Sequence, residues 1–214
     1  VMPRYSLIPD RLTHDIRIDR ELSLEIDGRN RPVEIGRKKA GVDEPEYIFI
    51  ANDAFFDRDA LYVDPETGRD YIDNDRRFIF FCRAILEYLK KSEWSPDIVH
   101  ANDWQTALLP TYLATSLKDD PFYKSARSVF TIHNLAYQGT FPPTSFRRIG
   151  LDEKLFYATG PFEFWGKVNF MKSAIHYATV LNTVSERYAR EIRSSEEYGC
   201  GLEGVLNSRR DDLY

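Results

Sequence analysis

The chain has 214 residues, of which 43% are hydrophobic and 29% charged, and this balance is typical of a folded globular domain rather than a disordered segment. Acidic residues outnumber basic ones by 34 to 29, so a nucleic-acid partner is not expected. No apolar run has the ~20 residues of a membrane-spanning helix, so a membrane partner is not expected either. The two cysteines, Cys82 and Cys200, lie far apart and predict neither a disulfide framework nor a cysteine metal site.

The N-terminal part of the chain predicts a hairpin, a buried strand and a long helix. Apolar and polar residues alternate over residues 22–26, and a second short run follows at 32–35 after Asp27-Gly28. This pattern favours a hairpin, with a spacing that suggests a loop longer than two residues. Residues 47–51 have the composition of a buried strand. A helix capped by Asp73 or Asn74 is then predicted to run to about Lys91, with one apolar stripe.

From residue 97 onward, strands and helices alternate. The predicted strands cover residues 97–100, 129–133 and 179–183, and the predicted helices cover about 106–117, 167–177 and 188–193, the last capped by Ser185. Such alternation implies right-handed βαβ crossovers. The sequence therefore predicts an α/β fold, a Rossmann-like parallel sheet with flanking helices, in which the β-hairpin is an insertion or edge feature.

Polar side chains follow two of these strands at the points where they end. Asp103 and Trp104 come just after the first strand. His133 is the last residue of the second strand, and Asn134 follows it. In open α/β sheets, ligands bind beyond the carboxyl ends of the strands. The four residues combine hydrogen-bonding groups for hydroxyls with an aromatic face for C–H groups, which is the combination that a sugar requires.

The motifs at these positions closely resemble those of the bacterial glycogen synthases and plant starch synthases. The likeness runs over nearly the whole chain, and the motifs occur in family order. They are His100-Ala101-Asn102-Asp103-Trp104-Gln105-Thr106-Ala107-Leu108-Leu109-Pro110, Thr131-Ile132-His133-Asn134-Leu135-Ala136-Tyr137-Gln138-Gly139, Asn169-Phe170-Met171-Lys172, Asn182-Thr183-Val184-Ser185 and Tyr198-Gly199-Cys200-Gly201-Leu202-Glu203-Gly204-Val205-Leu206.

The resemblance implies a GT-B glycosyltransferase, in which two Rossmann-like domains face each other across a cleft. It identifies residues 1–214 as a partial N-terminal domain that lacks its first strand and helix and its last strand. The family's K-x-G-G-L loop and its C-terminal nucleotide-binding domain, with an arginine, a lysine and a glutamate of the donor site, are absent from this sequence. On this basis we expect the isolated chain to be inactive.

The activity that the resemblance implies is transfer of glucose from ADP-glucose to the non-reducing end of an α-1,4-glucan, glycogen or a starch primer, with retention. The nucleotide sugar is a substrate, and no cofactor or catalytic metal is implied. A bacterial relative would act in the cytoplasm and a plant relative in the plastid.

The resemblance also assigns roles to the polar residues. The residue matching His133 lies against the donor glucose, where its side chain contacts the 6-hydroxyl and its carbonyl stabilises charge at the anomeric carbon, so His133 is expected to act as a neutral group. Asp103 matches an aspartate that positions the sugars, although its spacing alone fits a helix cap equally well. Trp104 matches a residue near the acceptor glucan, but core packing is the usual fate of tryptophan. Tyr71 and Asn134 match donor-side residues.

Other kinds of site find less support. His100 and Asp103 have H-x-x-D spacing, but no third metal ligand is clear. The carboxylates offer no evident pair for a glycosidase. The run from Gly199 to Gly204 fits G-x-G-x-x-G literally, yet it follows a predicted helix and loop rather than a strand. The alternatives that stay open are a non-catalytic glucan- or nucleotide-binding module and another retaining glycosyltransferase, such as a sucrose synthase relative.

Overall fold

The computed structural model describes residues 1–9, 13–39 and 45–214. These residues form two compact units, Val1–Ser92 and Glu93–Tyr214. Among the described residues, no helix is long and apolar enough to cross a membrane.

A four-stranded sheet forms the centre of the first unit. Its strands are β1 (Met2–Pro3), β2 (Arg17–Ile26), β3 (Arg29–Lys38) and β4 (Tyr47–Ala51). Their order is β1-β4-β3-β2, with β1 parallel to β4 and the other neighbours antiparallel. The predicted hairpin is confirmed as the edge of this sheet, but the longer loop is wrong. Ile26 pairs with Arg29, and Asp27-Gly28 turns the chain in two residues because both have positive φ, 53° and 69°.

The long predicted helix packs in the same unit. After a short helix α1 (Asp53–Phe56) and the ribbon of β5 (Val63–Asp64) and β6 (Arg69–Asp70), α2 extends over Asn74–Lys91. The predicted apolar stripe is buried, which confirms the helix and its orientation. Asp73 stands at the N-cap but makes no side-chain cap bond, because its carboxylate pairs with Arg58 at 2.7 Å.

The second unit contains the predicted parallel sheet. Its strands are β7 (Ile98–Asn102), β8 (Arg127–Ile132) and β12 (Val180–Thr183). Their order is β12-β8-β7 and both pairings are parallel, as the βαβ alternation predicted. The helix predicted over 106–117 is instead two short ones, α3 (Asp103–Thr106) and α4 (Leu108–Ala114). The break has a local cause, because Pro110 has no N–H to donate to the carbonyl of Thr106.

A small antiparallel sheet follows β8. It consists of β9 (Thr140–Phe141), β10 (Glu163–Phe164) and β11 (Lys167–Asn169) in the order β10-β11-β9, with helix α5 (Ser145–Ile149) between β9 and β10. The helix predicted from residue 167 therefore starts later, as α6 (Phe170–Tyr177). Asn169 sets that start, because its side-chain oxygen accepts the backbone N–H of Lys172 at 2.8 Å.

The C-terminal segment continues with short helices. Ser185 caps α7 (Glu186–Glu191) through the backbone N–H of Tyr188, as predicted, and α8 (Glu196–Gly199) and α9 (Glu203–Ser208) follow. The helix α7 begins two residues before its predicted start. Leu213 then forms a parallel bridge with Leu181 of β12.

Candidate active site

The polar residues predicted at the strand ends are brought together by the parallel pairing of β7 and β8. Asn102, the last residue of β7, lies opposite Thr131 of β8. Asp103 therefore leaves β7 next to the place where His133 leaves β8. The position of both residues at the carboxyl ends of neighbouring strands is thereby confirmed, while their chemical roles stay predictions.

A hydrogen bond joins Asp103 directly to the second strand end. Its Oδ1 accepts the backbone N–H of His133 at 2.8 Å. Asp103 has a φ of 55°, a left-handed conformation that L residues adopt at a cost of about 1–2 kcal/mol. The side chain makes no cap bond at the start of α3, whose N-cap residue is Asn102. The helix-cap alternative is thus not what the structure shows, because the carboxylate is used across the strands.

The imidazole of His133 is exposed but held in one orientation. Its Nε2 lies 3.1 Å from Oδ1 of Asn102. Among the described residues, Nδ1 has no hydrogen-bond partner, so this nitrogen is available to a ligand hydroxyl. Sequence reasoning did not identify Asn102, although its place between the strand and Asp103 in the motif was the available signal.

Thr106 fixes the turn that carries Asn102 and Asp103. Its hydroxyl accepts the backbone N–H of Asn102 at 2.5 Å and donates to the backbone carbonyl of the same residue at 2.7 Å. The backbone N–H and the backbone carbonyl of Asn102 therefore both have a hydrogen-bond partner inside the turn. The side chains of Asn102 and Asp103 are consequently presented from a fixed backbone, a condition for a preorganised polar site.

Trp104 lies in the core of the second unit. Only 7% of it is exposed, and its ring centroid lies 5.6 Å from that of Phe141. The backbone of Gly139 passes so close that an added Cβ would lie 2.5 Å from Cε3 of the indole. These contacts favour the packing alternative for Trp104, and its acceptor role stays a prediction.

Gly139→Ala is expected to destabilise the fold by about 2–5 kcal/mol. The change forces a side chain onto Trp104, for which overpacking costs about 1–3 kcal/mol, and places it at a φ of 64°. Gly150→Ala is the matched control, because Gly150 has a φ of 78° but nothing within 4 Å of its added Cβ. Urea unfolding of both variants measures the difference, and equal losses would contradict the contact with Trp104.

Asn134 and Tyr71, the two residues predicted on the donor side, lie in different units and have local partners. Asn134 is exposed, and its Oδ1 accepts the backbone N–H of Ala136 at 3.0 Å, which orders its own loop. Tyr71 belongs to the first unit, where two guanidinium groups lie over its ring, that of Arg58 at 4.6 Å and that of Arg77 at 5.2 Å from the ring centroid. Burial lowers the pKa of Arg77, which is fully enclosed. The donor-side roles of both residues stay predictions.

His100 belongs to a polar row across the parallel sheet. Its Nε2 lies 2.6 Å from the hydroxyl of Thr131, which donates to Oδ1 of Asn182 at 2.6 Å. His100 therefore binds a side chain within β8, whereas Asp103 binds the backbone of His133, just beyond the end of that strand. In the part of the chain that the structure describes, no three His, Cys, Asp or Glu side chains form a group that could hold a metal ion.

Comparison with known proteins gives one consistent family. The model of the starch synthase catalytic domain matches residues 1–208. Glycogen synthase 2 of Geobacter sulfurreducens is 50% identical over 178 residues, which are 83% of this chain and 36% of that protein. Glycogen synthase of Thermotoga maritima is 45% identical over 174 residues, 81% of this chain and 34% of that protein.

A solved structure extends the likeness to three dimensions. The catalytic domain of starch synthase IV from Arabidopsis thaliana, bound to ADP and acarbose, superposes with a TM-score of 0.81 at 30% identity. The superposed region covers 99% of this chain and 42% of the starch synthase IV chain. The chain thus spans less than half the length of the relatives it matches.

Proposed function

Because this chain belongs to the glycogen and starch synthase family of glycosyltransferases, we propose that its protein transfers glucose from ADP-glucose to the non-reducing end of an α-1,4-glucan, with retention. The observation that carries the proposal is the 2.8 Å bond between Asp103 and His133 at two adjoining strand ends. Under this proposal, Asp103 and His133 act at the reacting sugar, Tyr71 and Asn134 on the donor side, and Trp104 near the acceptor.

The chemistry of the site suits a neutral, hydroxyl-rich substrate. An imidazole held by Asn102 and a carboxylate held by a backbone N–H keep their orientation before the substrate arrives. Groups fixed in this way stabilise a transition state without reorganising during the reaction, which is usually a large part of catalysis. The fixed orientation of these groups therefore supports the proposed sugar transfer.

The proposed substrates have support from the solved relative. The starch synthase IV domain was bound to ADP and to acarbose, a nucleotide and a saccharide. ADP is the leaving group that a transfer from ADP-glucose would produce. We accordingly propose ADP-glucose as donor and a glucan chain as acceptor for this protein.

The proposal is tested with a full-length protein that carries these residues. Incubated with radiolabelled ADP-glucose and glycogen, it is expected to move label into the polymer, and proton NMR is expected to show a new α-linkage. Binding of glycogen without transfer of label would instead favour the non-catalytic module. In a parallel incubation in which fructose replaces glycogen, transfer of label to fructose, with none to glycogen, would favour the sucrose synthase alternative.

A further inference from the structure

The hairpin formed by β10 and β11 carries an exposed tryptophan at its tip. Glu163 pairs with Val168 and Phe164 with Lys167, so Trp165 and Gly166 alone form the loop. Their φ angles are 52° and 76°. Two central residues with positive φ define a type I′ turn, the tight turn that matches the twist of a hairpin. Trp165 is 82% exposed there.

Tryptophan is an unfavourable choice for this position. The first central residue of such a turn is usually Asn, Asp or Gly, because these residues adopt positive φ most easily. Trp165 must adopt this conformation and also leaves most of its ring in water. Residues held in sparsely populated backbone conformations cluster at ligand sites, where the surrounding structure fixes them. The requirements of the turn and of folding therefore do not explain why residue 165 is a tryptophan.

The surrounding structure does fix this turn. The carboxylate of Glu163 accepts the backbone N–H of Gly166 at 2.7 Å and that of Thr159 at 3.1 Å, and these bonds lower the pKa of Glu163. Lys172 donates from Nζ to the backbone carbonyl of Glu163 at 2.6 Å. The ring of Trp165 is therefore presented from a rigid base, so that little freedom is lost when a ligand binds.

The same framework connects the hairpin to the segment that begins at His133. Asn169, at the end of β11, donates to the side-chain oxygen of Gln138 at 2.6 Å, and Gln138 donates to the backbone carbonyl of Cys200 at 3.0 Å. A Cβ added to the next residue, Gly201, would lie 2.9 Å from Phe164 and 3.6 Å from Nε1 of Trp165. Gly201 thus leaves the space that the indole and the phenyl ring occupy.

We propose that Trp165 is a stacking plate for one glucose unit of an α-glucan chain, separate from the Asp103–His133 contact. A flat aromatic ring suits the C–H face of a pyranose. Its aromatic neighbour Phe164, with ring centroids 6.3 Å apart, is half-buried, and the exposed residues that follow Trp165 are Gly166 and charged Lys167. The ring is therefore not part of a broad apolar patch, which argues against a protein surface as its partner. The identity of the ligand rests on the proposed function, since a glucan is the polymeric substrate proposed there.

The first test measures glucan binding by a full-length protein that carries these residues. Its mobility in native gels that contain glycogen, and its titration with maltoheptaose, give the affinity. Trp165→Ala is expected to weaken binding roughly tenfold, whereas Trp165→Phe should retain most of it because a ring is kept. Trp94→Ala is the matched control, since Trp94 is also exposed, at 57%, in the same unit. Equal affinity of wild type and Trp165→Ala would overturn the plate.

The second test separates a ligand-binding role from a structural one. Trp165→Asn places a residue that favours positive φ in the turn, so its thermal midpoint should rise by about 2–4 °C while glucan affinity falls. A lower midpoint together with weaker binding would make Trp165 a structural residue and overturn the plate.

The two proposals fail in different assays. The transfer of label from ADP-glucose decides the proposed function alone. Glycogen binding that depends on Trp165, in a protein without transfer activity, would support the stacking role of Trp165 and refute the proposed glucosyl transfer. Transfer activity in a protein whose glycogen binding is unchanged by Trp165→Ala would support the proposed function and refute the stacking role of Trp165.

Discussion

His133→Ala should lower kcat for glucosyl transfer by roughly 10²-fold, with a much smaller change in KM for ADP-glucose. The imidazole stands at the end of β8, exposed and oriented by Asn102, where the family resemblance places the reacting sugar. A contact that strengthens in the transition state appears in kcat rather than in ground-state binding. Initial rates in a full-length protein that carries these residues, measured over a range of donor concentrations, give both constants.

Two companion variants define how the site is built. Asn102→Ala removes only the acceptor that orients the imidazole, so its loss of kcat should be smaller than that of His133→Ala. Combining both changes should cost little more than His133→Ala alone, because Asn102 acts through the histidine. An unchanged kcat in His133→Ala, with the thermal midpoint also unchanged, would remove His133 from the reaction.

Trp104→Ala should reduce the free energy of unfolding by about 3–5 kcal/mol, the usual effect of deleting a large buried aromatic side chain. The indole is 7% exposed and is enclosed by Gly139 and Phe141, which cannot close the space that it would leave. Trp94→Ala serves as control, because a surface substitution usually changes stability by less than about 0.5 kcal/mol. Chemical denaturation of the three proteins gives the comparison.

The kinetic constants of the same variant decide between the two roles of Trp104. If packing is its function, KM for glycogen and for ADP-glucose should stay close to wild type at temperatures where the variant is folded. A stable variant with a raised KM for glycogen alone would contradict the packing role and support the acceptor role implied by the family resemblance.

The sequence alone determined the features that depend on local composition and spacing. The β-branched and aromatic run before His133 and the apolar stripe of α2 depend on residues close together in the chain, and both elements form as predicted. The α/β class followed from the alternation of such elements, and the place of Asp103 and His133 at strand ends followed from the strands. The family resemblance came from motifs, which are also local.

Tertiary structure decided which groups meet, because those contacts join segments that are far apart in the chain. Parallel pairing of β7 with β8 aligned Asp103 with the N–H of His133, 30 residues away, and removed the helix-cap alternative. The approach of Gly139 enclosed Trp104, whose burial no spacing could reveal. The pairing of β11 with β9 turned residues 167–169 into a strand and placed Trp165 at a hairpin tip. Each outcome depends on strand register and on partners from distant segments, and local propensity contains neither.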